Sequence, residues 1–311
     1  MQAAVVRSFD EPPTYDEYPA PVVSGAGEVL VQVVATGLHP RVRSAADGTH
    51  YTSEGALPMV PGIDAVGRTD DGELLYFVAP DNGTGTMAEF AVVDRRRSVV
   101  LPEGTDPVAV AAAMNPAMSS WIALRRRARF APDGSVLVLG ATGSAGRLAV
   151  QVAKHLQASR VVGAGRDAER LALLPDLGAD AAVELSAVAD QAADVDVVLD
   201  YLWGPPTEQA MSAILHARTD RARPLTWIQI GSMAARELTP PSYLLRAAAL
   251  TIIGSGQGSV PARDILAELP ELAALITSGA VAANPYPVPL AEVEKAWTMQ
   301  LPAGTRLVLV P

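Results

Sequence analysis

Apolar residues arrive in two rhythms along the chain. From Gln2 to about Asn115 they form short runs, such as 29–34, 74–78 and 90–93, separated by Gly, Pro and Asp. Runs of that kind, punctuated by turn residues, predict a compact β-rich unit. After Pro116 strand-like runs at 135–139, 160–164, 195–200, 225–230 and 250–253 are interleaved with helix-like stretches at 143–156, 167–174 and 205–217. These strand runs do not alternate apolar with polar, which is what a parallel sheet buried on both faces demands. The expected fold class is therefore α/β, a doubly wound parallel sheet joined to a β-rich domain. Helix-like stretches at 262–274 and 290–300 and a strand at 306–310 close the chain, and a strand so near the end must find a partner, expected in the first domain. The expected boundaries are 1–117, 118–256 and 257–311. The Ala-rich stretch 108–114 reads as the start of a buried helix, and the arginines of 125–129 as a solvated helix face.

The most informative segment is SVLVLGATGSAGRLAVQVAK, residues 135–154. A buried strand runs into a glycine turn, and the turn opens an amphipathic helix. A diphosphate must approach backbone N–H groups closely, and glycine leaves room for it while turning sharply. The positive end of the helix dipole adds to the attraction. Gly140, Gly143 and Gly146 are spaced one residue wider than the commonest dinucleotide fingerprint, so their placement between strand and helix carries the assignment. The alternative is an ordinary turn rich in small residues. The expected cradle is Gly140, Ala141, Thr142, Gly143, Ser144, Ala145 and Gly146.

The next strand ends in Gly165 and Arg166, where an NAD-selective site places an acid for the ribose 2′-hydroxyl. Arg166 instead suggests a 2′-phosphate held by forked charge-assisted hydrogen bonds, with Arg170 one turn on to assist. Asp167 is either that acid or the cap of the following helix, and the Asp-Ala-Glu-Arg order favours the cap. Two later strand ends complete the crevice: Asp200-Tyr201-Leu202, where Asp200 is equally a structural cap, and the small pair Gly231-Ser232. The cofactor implied is NADPH.

Composition narrows the chemistry. The 311 residues include 34 acidic and 24 basic side chains, a net charge of −10, which disfavours nucleic acid and anionic lipid as partners. There is no cysteine, hence no disulfide, thiolate nucleophile or cysteine-based metal site. The four histidines show no metal spacing, and no metal is expected. No apolar run is expected to reach spanning length, and the start of the chain reads as a strand without a signal-peptide core, so a cytoplasmic location is expected.

With these residues in view, the chain resembles the medium-chain dehydrogenase/reductase superfamily, in its zinc-independent quinone oxidoreductase-like branch. The resemblance covers essentially the whole chain. It rests on MQAAVV at the start, GEVLVQV at 27–33, VPGIDAVG at 60–67, LPEG at 101–104, the glycine turn and RLVLV at 306–310. It implies a GroES-like catalytic domain made from both ends of the chain, a Rossmann NADP-binding domain between them, and hydride transfer from NADPH. In the zinc alcohol dehydrogenases a cysteine follows the early strand and a Gly-His-Glu motif supplies a second ligand. The matching stretches here are Thr36-Gly-Leu-His39-Pro and Pro61-Gly-Ile63-Asp64. Without a Lewis acid to lower a hydroxyl pKa, alcohol oxidation is disfavoured, whereas a conjugated acceptor needs none.

The resemblance also nominates groups for the reacting end. His39 stands where quinone reductases often carry Asn, in the loop that approaches the nicotinamide, and is either a hydrogen-bond donor to the substrate carbonyl or a surface-loop histidine. Tyr51 aligns with a loop in which enoyl-thioester reductases carry a tyrosine proton donor, with His50 beside it. Asn115 and Ser119 match the segment that faces nicotinamide and ribose, and Ser255 and Gln257 a loop near the nicotinamide. The strand at 250–254 is the one across which family members pair, so a homodimer is expected. The expected substrate is a quinone or an enone or enal, reduced by NADPH; the alternative is a catalytically idle NADPH-binding sensor on the same fold.

Overall fold

The computed structural model describes residues 1–49, 56–80, 83–302 and 304–311. The chain divides into two compact units, Met1–Asn115 with Leu266–Pro311, and Pro116–Ile265. The second crossing therefore lies nine residues beyond the expected 256/257. The reason is local: Arg127 donates from Nε to Gly254 O at 2.9 Å and from Nη1 to Ser259 O at 3.4 Å, tying the segment after residue 254 to the α/β unit.

The α/β unit is built on six parallel strands. Their spatial order is Ala181–Glu184, Arg160–Gly165, Ser135–Leu139, Val197–Asp200, Leu225–Gln229 and Leu250–Gly254. The chain starts at Ser135–Leu139, builds outward on one side, then crosses back to build the other. That reversal makes a switch point beside the first strand, where open α/β sheets bind ligands. Leu137, Leu139, Val162, Val198, Ile214 and Trp227 form the core on one face. The strand Ala181–Glu184 escaped the sequence pattern because it is a half-buried edge of four residues with two alanines.

Asp200 is a structural cap. Its buried carboxylate accepts from the N–H groups of Leu202 (2.8 Å) and Trp203 (3.1 Å), from Thr207 Oγ1 (2.7 Å) and from Trp227 Nε1 (2.9 Å). Four donors satisfy the buried charge.

The Ala-rich stretch is indeed helical, within Pro107–Ile122, and continues as a π-helical turn over Ala123–Ala128. The arginines that follow are not simply a solvated face. Arg125 lies over the Trp121 ring, 4.9 Å from its centroid, while Trp121 stacks on His155, and Arg127 makes the bonds given above. By length and composition the combined helix Pro107–Ala128 would suffice to cross a bilayer, contrary to the expectation for spanning runs. With 67% of its apolar window buried it has the character of a core helix.

The other unit carries a seven-stranded sheet. Asn284–Pro289, Thr305–Val310, Glu28–Leu38, Asp64–Arg68, Leu74–Val78 and Ser98–Val100 follow one another across it, with Phe90–Asp94 also paired to Glu28–Leu38. The terminal strand runs antiparallel to Glu28–Leu38, as expected of a strand returning to the first domain. The helix expected over 262–274 is two, Ala262–Leu266 and Leu269–Thr277, because Pro270 lacks the N–H that a helix interior requires and fits only a first turn.

Candidate functional site

The three glycines after Ser135–Leu139 do three different things. Gly140 has φ +83°, a left-handed backbone that side chains disfavour. Gly146 packs so tightly under the turn that a Cβ would stand 2.2 Å from the Gly140 carbonyl oxygen. At Gly143, with an ordinary φ of −78°, a Cβ would meet nothing nearer than 3.5 Å, so the missing side chain leaves open space. Gly143 caps the helix Ser144–His155 without a side-chain acceptor, and no acid stands in the first turn. The first-turn N–H groups of Ser144, Ala145 and Gly146 thus point their partial positive charge at a cradle that an anion fits. Gly140 N and Ala141 N both donate to Ala164 O at 3.0 Å, fastening the turn to the neighbouring strand.

That neighbouring strand ends at Gly165, where a Cβ would lie 2.8 Å from Thr142 Cγ2. Arg166 follows it and is exposed. Asp167 caps the helix Ala168–Leu171, its Oδ1 accepting from Arg170 N at 3.1 Å and its Oδ2 lying 2.9 Å from Arg170 Nε. The cap is therefore the role seen, and Arg170 is paired with Asp167.

The remaining expected cofactor residues of this unit sit at the ends of the next strands. Tyr201 and Leu202 follow Val197–Asp200; Leu202 covers Gly140, and a Cβ on Gly231 would lie 2.9 Å from Tyr201 O. Ser119 Oγ donates to Pro116 O at 2.6 Å, leaving the buried Tyr201 hydroxyl to donate to Ser119 Oγ across 3.0 Å. Burial pushes the Tyr201 phenol up to about 12, against the opposing effect of its contacts with Ser119 and Ser120. Ser232 is exposed, Ser255 is buried and donates its N–H to Gln229 O at 2.8 Å, and Gln257 is exposed. The glycine turn and the strand ends thus lie side by side at the carboxyl edge of the parallel sheet, with Arg166 directly following the neighbouring strand.

In the other unit His39 and Asn115 converge on Asp64, a residue that sequence reasoning passed over. His39 Nε2 lies 3.1 Å from Asp64 Oδ1, Asn115 Nδ2 donates to the same oxygen at 3.1 Å, and Tyr76 OH donates to Oδ2 at 3.1 Å. The Asp64 carbonyl accepts from Thr36 Oγ1 (3.0 Å) and Thr86 Oγ1 (3.1 Å). Asp64 is fully buried and His39 is 4% exposed, which removes the surface-loop alternative. Burial holds the imidazole below its ordinary pKa, outweighing the hydrogen bond to Asp64. A neutral ring carries one proton, and a carboxylate neighbour fixes it on Nε2. His39 therefore directs its N–H inward to Asp64, not outward as a carbonyl donor. Burial first, and the Asp64 charge second, raise the Tyr76 phenol well above its usual range.

Arg306, on the terminal strand, is 8% exposed and belongs to the same cluster, its guanidinium pushed down to about 10 by burial against the attraction of Asp64. Both charges were visible in the sequence as single ionisable residues inside apolar strands, GID-AVG and TR-LVLV. Tyr51 and His50 lie outside the described residues. Among the described residues no three His, Asp or Glu side chains group as metal ligands.

No family model matches the chain. A probable NADPH-dependent quinone reductase, tdiC, of Emericella nidulans is 32% identical with both chains covered in full. A chloroplastic NADPH-dependent alkenal/one oxidoreductase of Arabidopsis thaliana is 29% identical over 56% of this chain and 49% of its own. Among solved structures, the quinone oxidoreductase of Thermus thermophilus, determined also with NADPH, superposes with a TM-score of 0.82 at 27% identity, both chains fully covered. Sequence identity over the full length, the switch-point sheet and the glycine turn agree: the chain belongs to the medium-chain dehydrogenase/reductase superfamily, in its quinone oxidoreductase-like branch.

Proposed function

We propose that the chain binds NADPH and reduces a quinone or the C=C bond of an α,β-unsaturated carbonyl, working without zinc and as a homodimer. The observation that carries this is the open cradle at Gly143 above unblocked first-turn N–H groups, with the exposed Arg166 at the next strand end. The names of the related proteins support the same chemistry.

NADPH, when bound, would supply a hydride, a proton together with two electrons, to the acceptor. The chain's own residues do the rest. The turn 140–146 grips the diphosphate through backbone donors, and Arg166 forks onto the 2′-phosphate. Ser119 and Tyr201 hold each other by the hydrogen bond described above, a fixed polar pair in the α/β unit. Ile63 in place of the histidine of zinc relatives, and the absence of cysteine, support a metal-free acceptor chemistry in which the substrate's conjugation replaces Lewis-acid activation.

Calorimetric titration with NADPH and NADH, followed by the fall in NADPH absorbance on adding a panel of quinones and enones, tests the reading. NADPH should bind more tightly than NADH and be consumed by members of the panel. Tight NADPH binding without turnover would replace the reductase by a nucleotide-binding sensor, and no binding of either nucleotide would overturn the proposal.

A further inference from the structure

Two buried guanidinium nitrogens have no hydrogen-bond partner among the described residues, Nε of Arg218 and Nε of Arg306. The first is explained by the rest of its side chain. Arg218 Nη1 donates to Ala193 O and Val195 O, both at 2.9 Å, and Nη2 to Arg223 O at 3.2 Å and Pro224 O at 3.1 Å, so the residue is a clamp on two loops. Arg306 has no such explanation. Among the described residues none of its side-chain N–H donors finds an acceptor, although the residue is 8% exposed and stands in a strand whose next three residues, Leu307, Val308 and Leu309, are core.

Its surroundings sharpen the anomaly. The terminal strand pairs Leu307 with Leu38 and Val308 with Gly37, and one more step of that antiparallel register sets Arg306 across from His39. Asp64 attracts the guanidinium by charge. Yet the Asp64 oxygens already accept from His39, Asn115 and Tyr76, so Arg306 compensates the carboxylate without bonding to it. Burying a cation with its donors unmade is costly, and such a group calls for a ligand or a catalytic role. Of the guanidinium nitrogens Nε is the one fully sealed without a partner, and the residue's remaining exposure of 8% leaves its Nη end not completely enclosed. A fork of unoccupied N–H donors recognises a negative or developing negative oxygen.

We infer that Arg306 is the group that receives the acceptor's carbonyl oxygen and stabilises the oxyanion formed there, a catalytic role resting on the reductase reading above. The hydride forms a C–H bond at the β-carbon of an enone, or adds to the quinone, while NADPH is oxidised to NADP+. The π pair of the attacked bond shifts along the conjugated system, and the carbonyl π pair comes to rest on oxygen as enolate or hydroquinone anion. Arg306 donates to that oxygen, and a proton from water completes the neutral product. The carboxylate–imidazole pair of Asp64 and His39 holds the surrounding polar atoms, so that Arg306 is the donor left for the substrate. Preorganised donors of this kind are worth most where charge develops in a site of low polarity.

A stable oxyanion tests this without turnover. The full-length protein, free of nucleotide, is titrated with 4-nitrophenol, whose phenolate absorbs in the visible, across its pKa. The expected result is a preference of about tenfold or more for phenolate over phenol, seen as a lowering of the bound phenol's pKa by about one unit or more. Arg306→Gln should abolish the preference and Arg306→Lys restore part of it. With substrate, Arg306→Gln should lower kcat by about 10²–10³-fold, as loss of an oxyanion donor does, with the NADPH dissociation constant unchanged. Equal binding of phenol and phenolate, no binding of either, or a preference retained in Arg306→Gln would each overturn the inference, and the wild-type titration decides even if the variants fail to fold. Reduction of quinones without phenolate preference would leave the reductase standing and remove Arg306. Phenolate preference lost in Arg306→Gln in a protein that reduces no quinone or enone would establish the oxyanion site and remove the reductase.

Discussion

His39 Nε2 stands 3.1 Å from Asp64 Oδ1 with both side chains out of reach of solvent. The imidazole is thus kept neutral in the folded protein, below its ordinary pKa, by burial. In the unfolded chain it titrates near 6.5 and binds a proton that the folded state resists. The unfolded state therefore holds more protons as pH falls through that range. Stability is fully present above about pH 6.5 and declines below it toward the lower folded pKa. Thermal melts between about pH 7.5 and about pH 5.5 should show Tm falling with pH, and His39→Gln, which keeps a donor for Asp64 but cannot titrate, should flatten the slope. An unchanged slope in that variant would assign the pH response elsewhere.

Asp64 carries more than this one bond. Asp64→Ala would leave the donors of His39, Asn115 and Tyr76 without their acceptor and Arg306 without its compensating charge. Breaking a buried ionic network by removing one partner costs about 3–5 kcal/mol, which denaturant titration should read as a matching drop in unfolding free energy.

The glycine turn separates binding from packing. Gly143→Ala adds a Cβ with 3.5 Å clearance at an ordinary φ, so Tm should hold while NADPH affinity falls, because the methyl group occupies the cradle. Gly146→Ala puts a Cβ 2.2 Å from a backbone oxygen and should cost about 1–3 kcal/mol of stability as well as affinity. Melting curves with and without NADPH distinguish the two, and equal loss of stability in both variants would contradict the open space seen at Gly143.

The readable and unreadable parts of this molecule divide along a physical line. The strand 135–139 and the helix 205–217 have the bounds expected of them, because Gly134 and Gly140 flank the strand and Gly204 with Pro205 opens the helix. The cradle residues were legible for the same reason: glycine spacing, strand and helix are contiguous in the chain. Asp64, Tyr76 and Arg306 were not, since three residues from three separate strands are brought together by the sheet register, whereas Asn115, which donates to Asp64, was nominated by the resemblance. Arg125 on Trp121 was likewise hidden, because a charged residue on a helix reads as solvated until its aromatic partner is placed four residues back.

Arg166 offers a selectivity test. Asp167 is occupied in capping its helix and holding Arg170, so the exposed guanidinium of Arg166 is the group left at the strand tip. A hydrogen bond to a charged group contributes about 1.5–3 kcal/mol, equivalent to roughly 10- to 150-fold in affinity. Arg166→Ala should raise the NADPH dissociation constant by that factor and leave NADH almost unchanged, as measured by calorimetry. Equal weakening of both nucleotides would show that Arg166 does not read the 2′-phosphate.

Among the described residues the strand Leu250–Gly254 has a neighbour on one side only, Leu225–Gln229. Ser255 directs its N–H to Gln229, and in a parallel ladder alternate residues bond to the same side, so the N–H groups of Ile252 and Gly254 face away from the sheet. An edge of β-branched residues with outward donors is a template for pairing, and a two-fold axis satisfies it without open-ended growth. Light scattering at micromolar concentration should give twice the 32.4 kDa chain mass. Gly254→Pro removes one outward donor at an exposed position where an added Cβ meets nothing within 4 Å, and should shift the protein toward monomer while the NADPH-binding unit stays folded. A monomeric wild-type protein would leave this edge unpaired and sink the dimer.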